Sequence, residues 1–229
     1  IGNLIELSRM RLQENKLTGT IPDSIGNLRE LDELWLNENK LTGTIPNSIG
    51  NLIDIKILIL GENRLNGTIP ETMKSLTRLV ELDLRNNNLI GTMHDSFKEL
   101  TNLEILDMGN NKLHGTIPNI FGNFLKLREL VLSNNTFDGT IPVDMYKAYN
   151  IETINLSKNL LQGPIYPPDV LPRLMELREL LLGENCFFGE LPIAILDTMP
   201  KLNVLNLSFS SSCKSKKFYP DRCDKIKEN

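Results

Sequence analysis

The chain has 229 residues, with 25 Lys and Arg against 29 Asp and Glu, a formal net charge of −4 and 40% apolar residues. That apolar fraction speaks against a long disordered chain, and no apolar run approaches the roughly 18 residues of a membrane span. The mild acidity argues against a nucleic-acid binder, which carries a basic face. The sequence opens on Ile1, without an initiator Met or a basic start followed by an apolar middle, so residue 1 is expected to be an internal position of a longer product.

Taken in chain order, the predicted elements are copies of one another. Leu4 opens LIELSRMRLQENKLTGTIPDSIGN, Leu28 opens LRELDELWLNENKLTGTIPNSIGN, and the frame restarts every 24 residues at Leu52, Leu76, Leu100, Phe124 and Ala148. It resumes at Leu174 and Met199 after insertions of two residues and one, giving eight full units and a broken ninth. Within a unit, apolar residues occupy positions 1, 4, 7, 9, 14 and 18, which fits neither a long helix nor a long strand. They fit a coil with one short strand at positions 6 to 9, where the L-x-L pair Leu34 and Leu36 flanks an outward side chain. This predicts one continuous parallel sheet, with Leu7, Met10, Leu12, Leu31, Leu34, Leu36, Leu82, Leu84 and Leu132 buried.

Position 12 is Asn in the first eight units, from Asn15 through Asn63 and Asn87 to Asn185. An inward Asn amide has to bond backbone groups of its own and the neighbouring coil, which predicts a ladder. Position 16 is Gly, where a positive φ or close backbone approach is needed. Position 19 is Pro, which ends any helix. His94 and Tyr166 replace that Pro, which predicts looser turns there.

The pattern LxxLxxLxLxxNxLxGxIPxxigN resembles the plant-type leucine-rich repeat family over roughly residues 1–210. The resemblance implies an α/β-type leucine-rich repeat solenoid: a curved right-handed coil with a parallel β-sheet on the concave face and 3-10 or irregular turns on the convex face. One coil cannot bury its apolar face alone, so the units must stack. The solenoid is expected over residues 1–212, with a cap or tail over 213–229, where the repeat fails.

Nothing in the chain has the spacing of a catalytic or metal motif: there is no HExxH, nucleophile elbow or phosphate-binding glycine loop. His94 and His114 fall in turns and read as surface residues, and no enzyme activity, cofactor or metal is expected. The three cysteines are Cys186, Cys213 and Cys223. Cys213–Cys223 would resemble the cysteine-paired caps of extracellular repeat proteins; Cys186–Cys213 and free thiols are the alternatives. N-x-S/T sequons at Asn66, Asn134, Asn155 and Asn206 are possible glycosylation sites, with Asn155 and Asn206 at an outward strand position.

In this family the partner usually meets the concave sheet, an analogy of fold. Trp35, Ile57, Ile59, Ile105 and Val131 are apolar at outward positions where nothing structural demands it, and Asp83 and Asp107 lie beside them. That combination reads as an exposed recognition patch. The resemblance implies a protein or peptide ligand, no nucleic acid, an extracellular or cell-surface location and membrane attachment only through parts of a parent protein outside this chain. The alternatives are a secreted enzyme-inhibitor-like repeat protein and an intracellular scaffold.

Overall fold

The computed structural model describes residues 1–165, 174–189 and 198–208. The 213–229 tail, Tyr166, Cys213 and Cys223 lie outside these residues. Each unit contributes a three-residue strand to a parallel sheet of nine strands among the described residues, from Arg9–Arg11 through Glu33–Trp35, Ile57–Ile59, Glu81–Asp83, Ile105–Asp107, Glu129–Val131, Thr153–Asn155 and Glu179–Leu181 to Val204–Asn206. Equivalent residues pair coil to coil, Leu34 with Met10 on one side and Leu58 on the other. Leu34 and Leu82 are fully buried while Trp35 is half-buried on the opposite side of its strand, so the register read from the L-x-L pattern holds.

Two of the leucines expected in the core are corrected: Leu12 is 36% exposed and Leu7 only partly buried. Both belong to the first coil, which has a neighbour on one side only. Their interior equivalents Leu36 and Leu31 are 6% and 0% exposed, with a coil on each side.

The Asn ladder is present. Asn63 donates its Nδ2 to the carbonyl of Leu36 one coil back at 2.9 Å and to Leu60 and Gly61 of its own coil at 3.1 Å, and its Oδ1 accepts from the N–H of Leu41 at 2.9 Å. Asn87 and Asn135 repeat the scheme. Just before each Asn the chain turns through a residue with positive φ, Glu38 and Glu62 at 54° and Asn86 at 52°, a left-handed position carried by non-glycine residues.

After the Asn, the chain runs extended again and forms short strands that the apolar spacing did not predict, including Asn66–Thr68, Asn88–Gly91, Lys112–Thr116 and Thr136–Asp138 in one four-stranded sheet. In-register stacking brings these extended segments together as a by-product. Their Gly residues have positive φ, and the γ-methyl of Thr44 stands 2.7 Å from where a Cβ on Gly67 would be, so a side chain there is excluded twice over.

The convex turn is a 3-10 helix opening after the Pro, as at Asn47–Asn51. His94 does not loosen its turn: its backbone is extended like the prolines it replaces, and its Nδ1 accepts from the N–H of Ser96, capping Asp95–Glu99.

Candidate recognition face

The outward rank at the third strand position runs Arg11, Trp35, Ile59, Asp83, Asp107, Val131, Asn155, Leu181, each paired directly with the next. The rank at the first strand position includes Glu33, Ile57, Glu81, Ile105 and Glu129. The seven residues singled out in the sequence therefore do share one face of the sheet. Trp35, Ile57, Ile105, Asp107 and Val131 are half-buried, leaving a mixed surface of apolar and acidic character.

Ile59 and Asp83 are corrected: expected as exposed, they are 4% and 7% exposed. Ile59 lies in register between Trp35 and Asp83. Asp83 tucks down because Gly61 in the preceding coil has no side chain; a Cβ there would meet the Asp83 Oδ1 at 2.7 Å. Asp83 then accepts from the N–H of Arg85 at 2.9 Å. A Gly two residues after the strand of one coil makes room for an Asp in the next, a relation between coils that the local pattern does not show.

Electrostatics on this face are unfavourable to its own acids. Burial pushes the Asp107 carboxyl up to about 6, with Asp83 and Glu129 adding to it, against the N–H of Gly109 and the charge of Arg85. Burial also raises Asp83, and it raises Glu81 together with the charges of Asp83 and Glu129. Arg85 is the cation close to Asp83, with its Nε 3.5 Å from the carboxylate.

At the first coils the face carries polar atoms that sequence reasoning missed. The Trp35 Nε1, the Asn37 Oδ1 and the Gln13 Oε1 are buried with no hydrogen-bond partner. Such a group costs about 1–3 kcal/mol when left unpaired. The Arg11 guanidinium lies 5.6 Å from the Trp35 ring centroid and pairs with Glu33 at 2.6 Å.

Of the sequons, Asn66, Asn134 and Asn206 are exposed, and Asn155 is half-buried with its Oδ1 accepting from the Ser157 hydroxyl at 2.7 Å. Cys186 is disulfide-bonded. Cys213 and Cys223, which carry the other pairings expected from the sequence, lie outside the described residues.

A stack of in-register coils, each adding one short strand to a continuous parallel sheet, defines a repeat solenoid. The family model for a leucine-rich repeat region matches residues 1–223, and the chain belongs to that family. Similar solved structures include the plant peptide hormone receptor RGFR1 in complex with RGF2, at 30% identity and TM-score 0.85 over 91% of this chain and 37% of that one. The ectodomain of the Arabidopsis receptor kinase HAESA with an IDA peptide hormone matches at 30% identity and TM-score 0.76, over 86% of this chain and 36% of that one. A plant ice-binding protein matches at 29% identity and TM-score 0.69, over 87% of this chain and 71% of that one. The chain thus spans about a third of the length of the receptor ectodomains it matches. No curated protein sequence matches it significantly.

Proposed function

We propose that the chain is a non-catalytic recognition module that binds a peptide or protein on its concave face, as part of an extracellular receptor-like protein held at a membrane by segments outside this chain. The observation that carries this reading is the face itself: Trp35, Ile57, Ile105 and Val131 stand beside buried carboxylates with raised affinity for protons. The repeat pattern does not require apolar side chains at these outward positions. The peptide-hormone receptors among the similar structures support it. Glycans at Asn155 and Asn206 would stand on the later coils of this face, while Asn66 and Asn134 lie off its outward strand positions, which leaves the early coils as the open half of the face.

The test is selection of binders from a displayed random dodecapeptide library, followed by titration of the synthetic peptides against variants. Trp35→Ala is expected to cost about 2 kcal/mol or more, as truncating a central interface Trp commonly does. Leu181→Ala should leave affinity unchanged. The reverse pattern would place the site on the later coils, and peptides indifferent to every substitution on this face would remove the reading.

A second reading takes the other side of the coil. Thr20, Thr44, Thr68, Thr92, Thr116 and Thr140 form an exposed rank of hydroxyls and methyls, each held over the next coil's Gly. A repeating threonine surface, together with the similarity to the plant ice-binding protein, favours binding of ordered water. An ice-growth assay decides it: inhibition by the wild type that is lost in a Thr68→Lys, Thr92→Lys double variant supports the reading, and no inhibition by the wild type ends it.

A further inference from the structure

Three side chains of the first two coils, Gln13, Trp35 and Asn37, each carry a buried polar atom with no hydrogen-bond partner. Gln13 and Asn37 are equivalent residues in successive coils, two residues beyond Arg11 and Trp35, and Arg11 and Trp35 are themselves paired in register. The Trp35 Nε1 is a donor, and the Asn37 Oδ1 and Gln13 Oε1 are acceptors. Asn37 is 9% exposed, so its orphaned oxygen is not a side chain waving in solvent. Every asparagine of the inner ladder from Asn39 to Asn185 finds partners for both ends of its amide, so Gln13, Trp35 and Asn37 stand apart from the ladder; the Ser48 Oγ, in the turn Asn47–Asn51, is a further buried atom without a partner.

A ligand that satisfies one donor and two acceptors in this space needs both a carbonyl and N–H groups. A peptide backbone has both. Further along the same rank stand Ile59, Asp83 and Asp107, with Glu81 and Glu129 at the first strand position and Arg85 as the near cation. Charge complementarity therefore asks for a cation above Asp83 and Asp107.

Resting on the recognition reading above, we infer that the ligand is an extended basic peptide: its backbone amides pair with Trp35, Asn37 and Gln13, and an Arg or Lys of the same peptide reaches Asp83 and Asp107. The spacing follows from geometry. Parallel strands lie about 4.8 Å apart, so Asp83 and Asp107 are two and three strands, roughly 10 and 14 Å, from Trp35. An extended peptide rises about 3.3 Å per residue. The basic residue thus lies three or four positions from the residue bonded at Trp35, with an intervening side chain over the half-buried Ile57. Arg11 covers the indole through an exposed ion pair and a stacking contact, both weak enough for a ligand to displace.

The probes are the dodecapeptides selected from the displayed library, measured by calorimetry on the whole chain at pH 7.5 and pH 5. Trp35→Phe keeps one aromatic ring and removes the N–H together with the five-membered ring that carries it, so 3-benzothienylalanine at position 35, which keeps both rings without the N–H, is measured beside it; Asn37→Ala removes the orphan oxygen. Each is expected to weaken binding about tenfold, and N-methylation of one ligand amide three or four residues from its Arg or Lys should do the same. Replacing that Arg or Lys by norleucine, or making Asp83→Asn with Asp107→Asn, should remove the affinity difference between the two pH values. Binding should be tighter at pH 7.5, because a ligand cation favours the ionised form of Asp107, whose neighbours are Asp83, Glu81, Glu129 and Arg85. A cooperative melting transition for each variant separates loss of binding from loss of fold. Peptides that respond to Ile57→Ala or Asp83→Asn but not to Trp35→Phe or Asn37→Ala overturn this inference and leave the concave-face reading intact. Selected peptides without basic residues overturn the charge assignment. Failure of all face variants to alter binding, or no peptide retained, counts against both.

Discussion

Asn37 and Asn63 lie one coil apart, and both are buried, at 9% and 8% exposure. The amide of Asn63 is bonded at both ends, to four backbone groups on two coils. The side-chain oxygen of Asn37 has no partner, and the indole N–H of Trp35 beside it has none either. The same residue type thus serves opposite ends: along the ladder from Asn39 to Asn185 every amide is paired, while Asn37 and Trp35 are left open and carboxylates crowd together on the face. The inner column explains why the coils hold together. The face has unmet bonding capacity and unbalanced charge, which only something outside the chain can complete.

The sharpest way to break this comparison is to remove the inner amides. Asn63→Ala and Asn87→Ala each leave buried backbone groups unpaired and are expected to cost about 1–3 kcal/mol in urea denaturation. Asn15→Ala should cost clearly less, because Asn15 is exposed and donates only to Leu12 and Gln13 of its own coil. Equal losses at Asn15 and Asn63 would show that bonds between coils are not what the ladder contributes.

The opposite sign is expected on the face. The Asp107 carboxyl is raised from 3.8 to about 6 in the folded chain, so the folded state holds its proton more tightly than the unfolded state does. The stability this group contributes is complete below about pH 4 and is lost as pH rises from there through about 6. Asp107→Asn removes that loss and keeps an Oδ1 able to accept from Gly109, whose N–H bonds the carboxylate at 2.8 Å. The variant is expected to be more stable by roughly 1–2 kcal/mol at pH 7.5 and no different near pH 4. A variant less stable than wild type at pH 7.5 would mean that the carboxylate is well solvated or paired, and that the face is not strained in the way described.

A smaller gain should come from the turn between strand and ladder. Glu38 is held at φ 54°, a region in which only glycine has no steric penalty. Its N–H bonds the carbonyl of Gly61, a backbone contact that Glu38→Gly retains. Relief of the left-handed strain is partly offset by the greater freedom of glycine in the unfolded chain. A gain of about 0.5 kcal/mol is expected from thermal melting, and a loss of that size would show that the turn is not strained.

The repeat made most of the fold legible in advance. The L-x-L spacing located the strands at Glu33–Trp35 and Ile57–Ile59, and the Asn at position 12 foretold the ladder, because both express what one coil requires of the next. The left-handed residues Glu38 and Glu62 were not legible, since neither residue type signals positive φ and the need arises from the tight turn after the strand. The burial of Asp83 was missed because it depends on a glycine in a different coil, Gly61, and not on the local pattern. The orphaned Trp35 and Asn37 were missed for a related reason: apolar and polar residue types can be read at outward positions, but whether each polar atom finds a partner depends on the neighbours that stacking brings.

The smallest effect separates the ladder from asparagine as such. Asn47 opens the 3-10 turn Asn47–Asn51, is exposed, and follows Pro46 in a turn that carries no side-chain cap. What it contributes between coils comes from its backbone carbonyl, which accepts from the Thr72 hydroxyl at 2.7 Å and is present with any side chain. Ala fits the first residue of such a turn without strain, so Asn47→Ala is expected to fall within about 0.5 kcal/mol of wild type. Asn63→Ala removes the same atoms from the chain and differs only in what those atoms touch, so the pair of variants holds composition and unfolded-state effects nearly constant. A loss at Asn47 as large as that at Asn63 would trace the cost to replacing Asn by Ala in general. The contrast between a satisfied interior and an unsatisfied face would then lose its energetic basis.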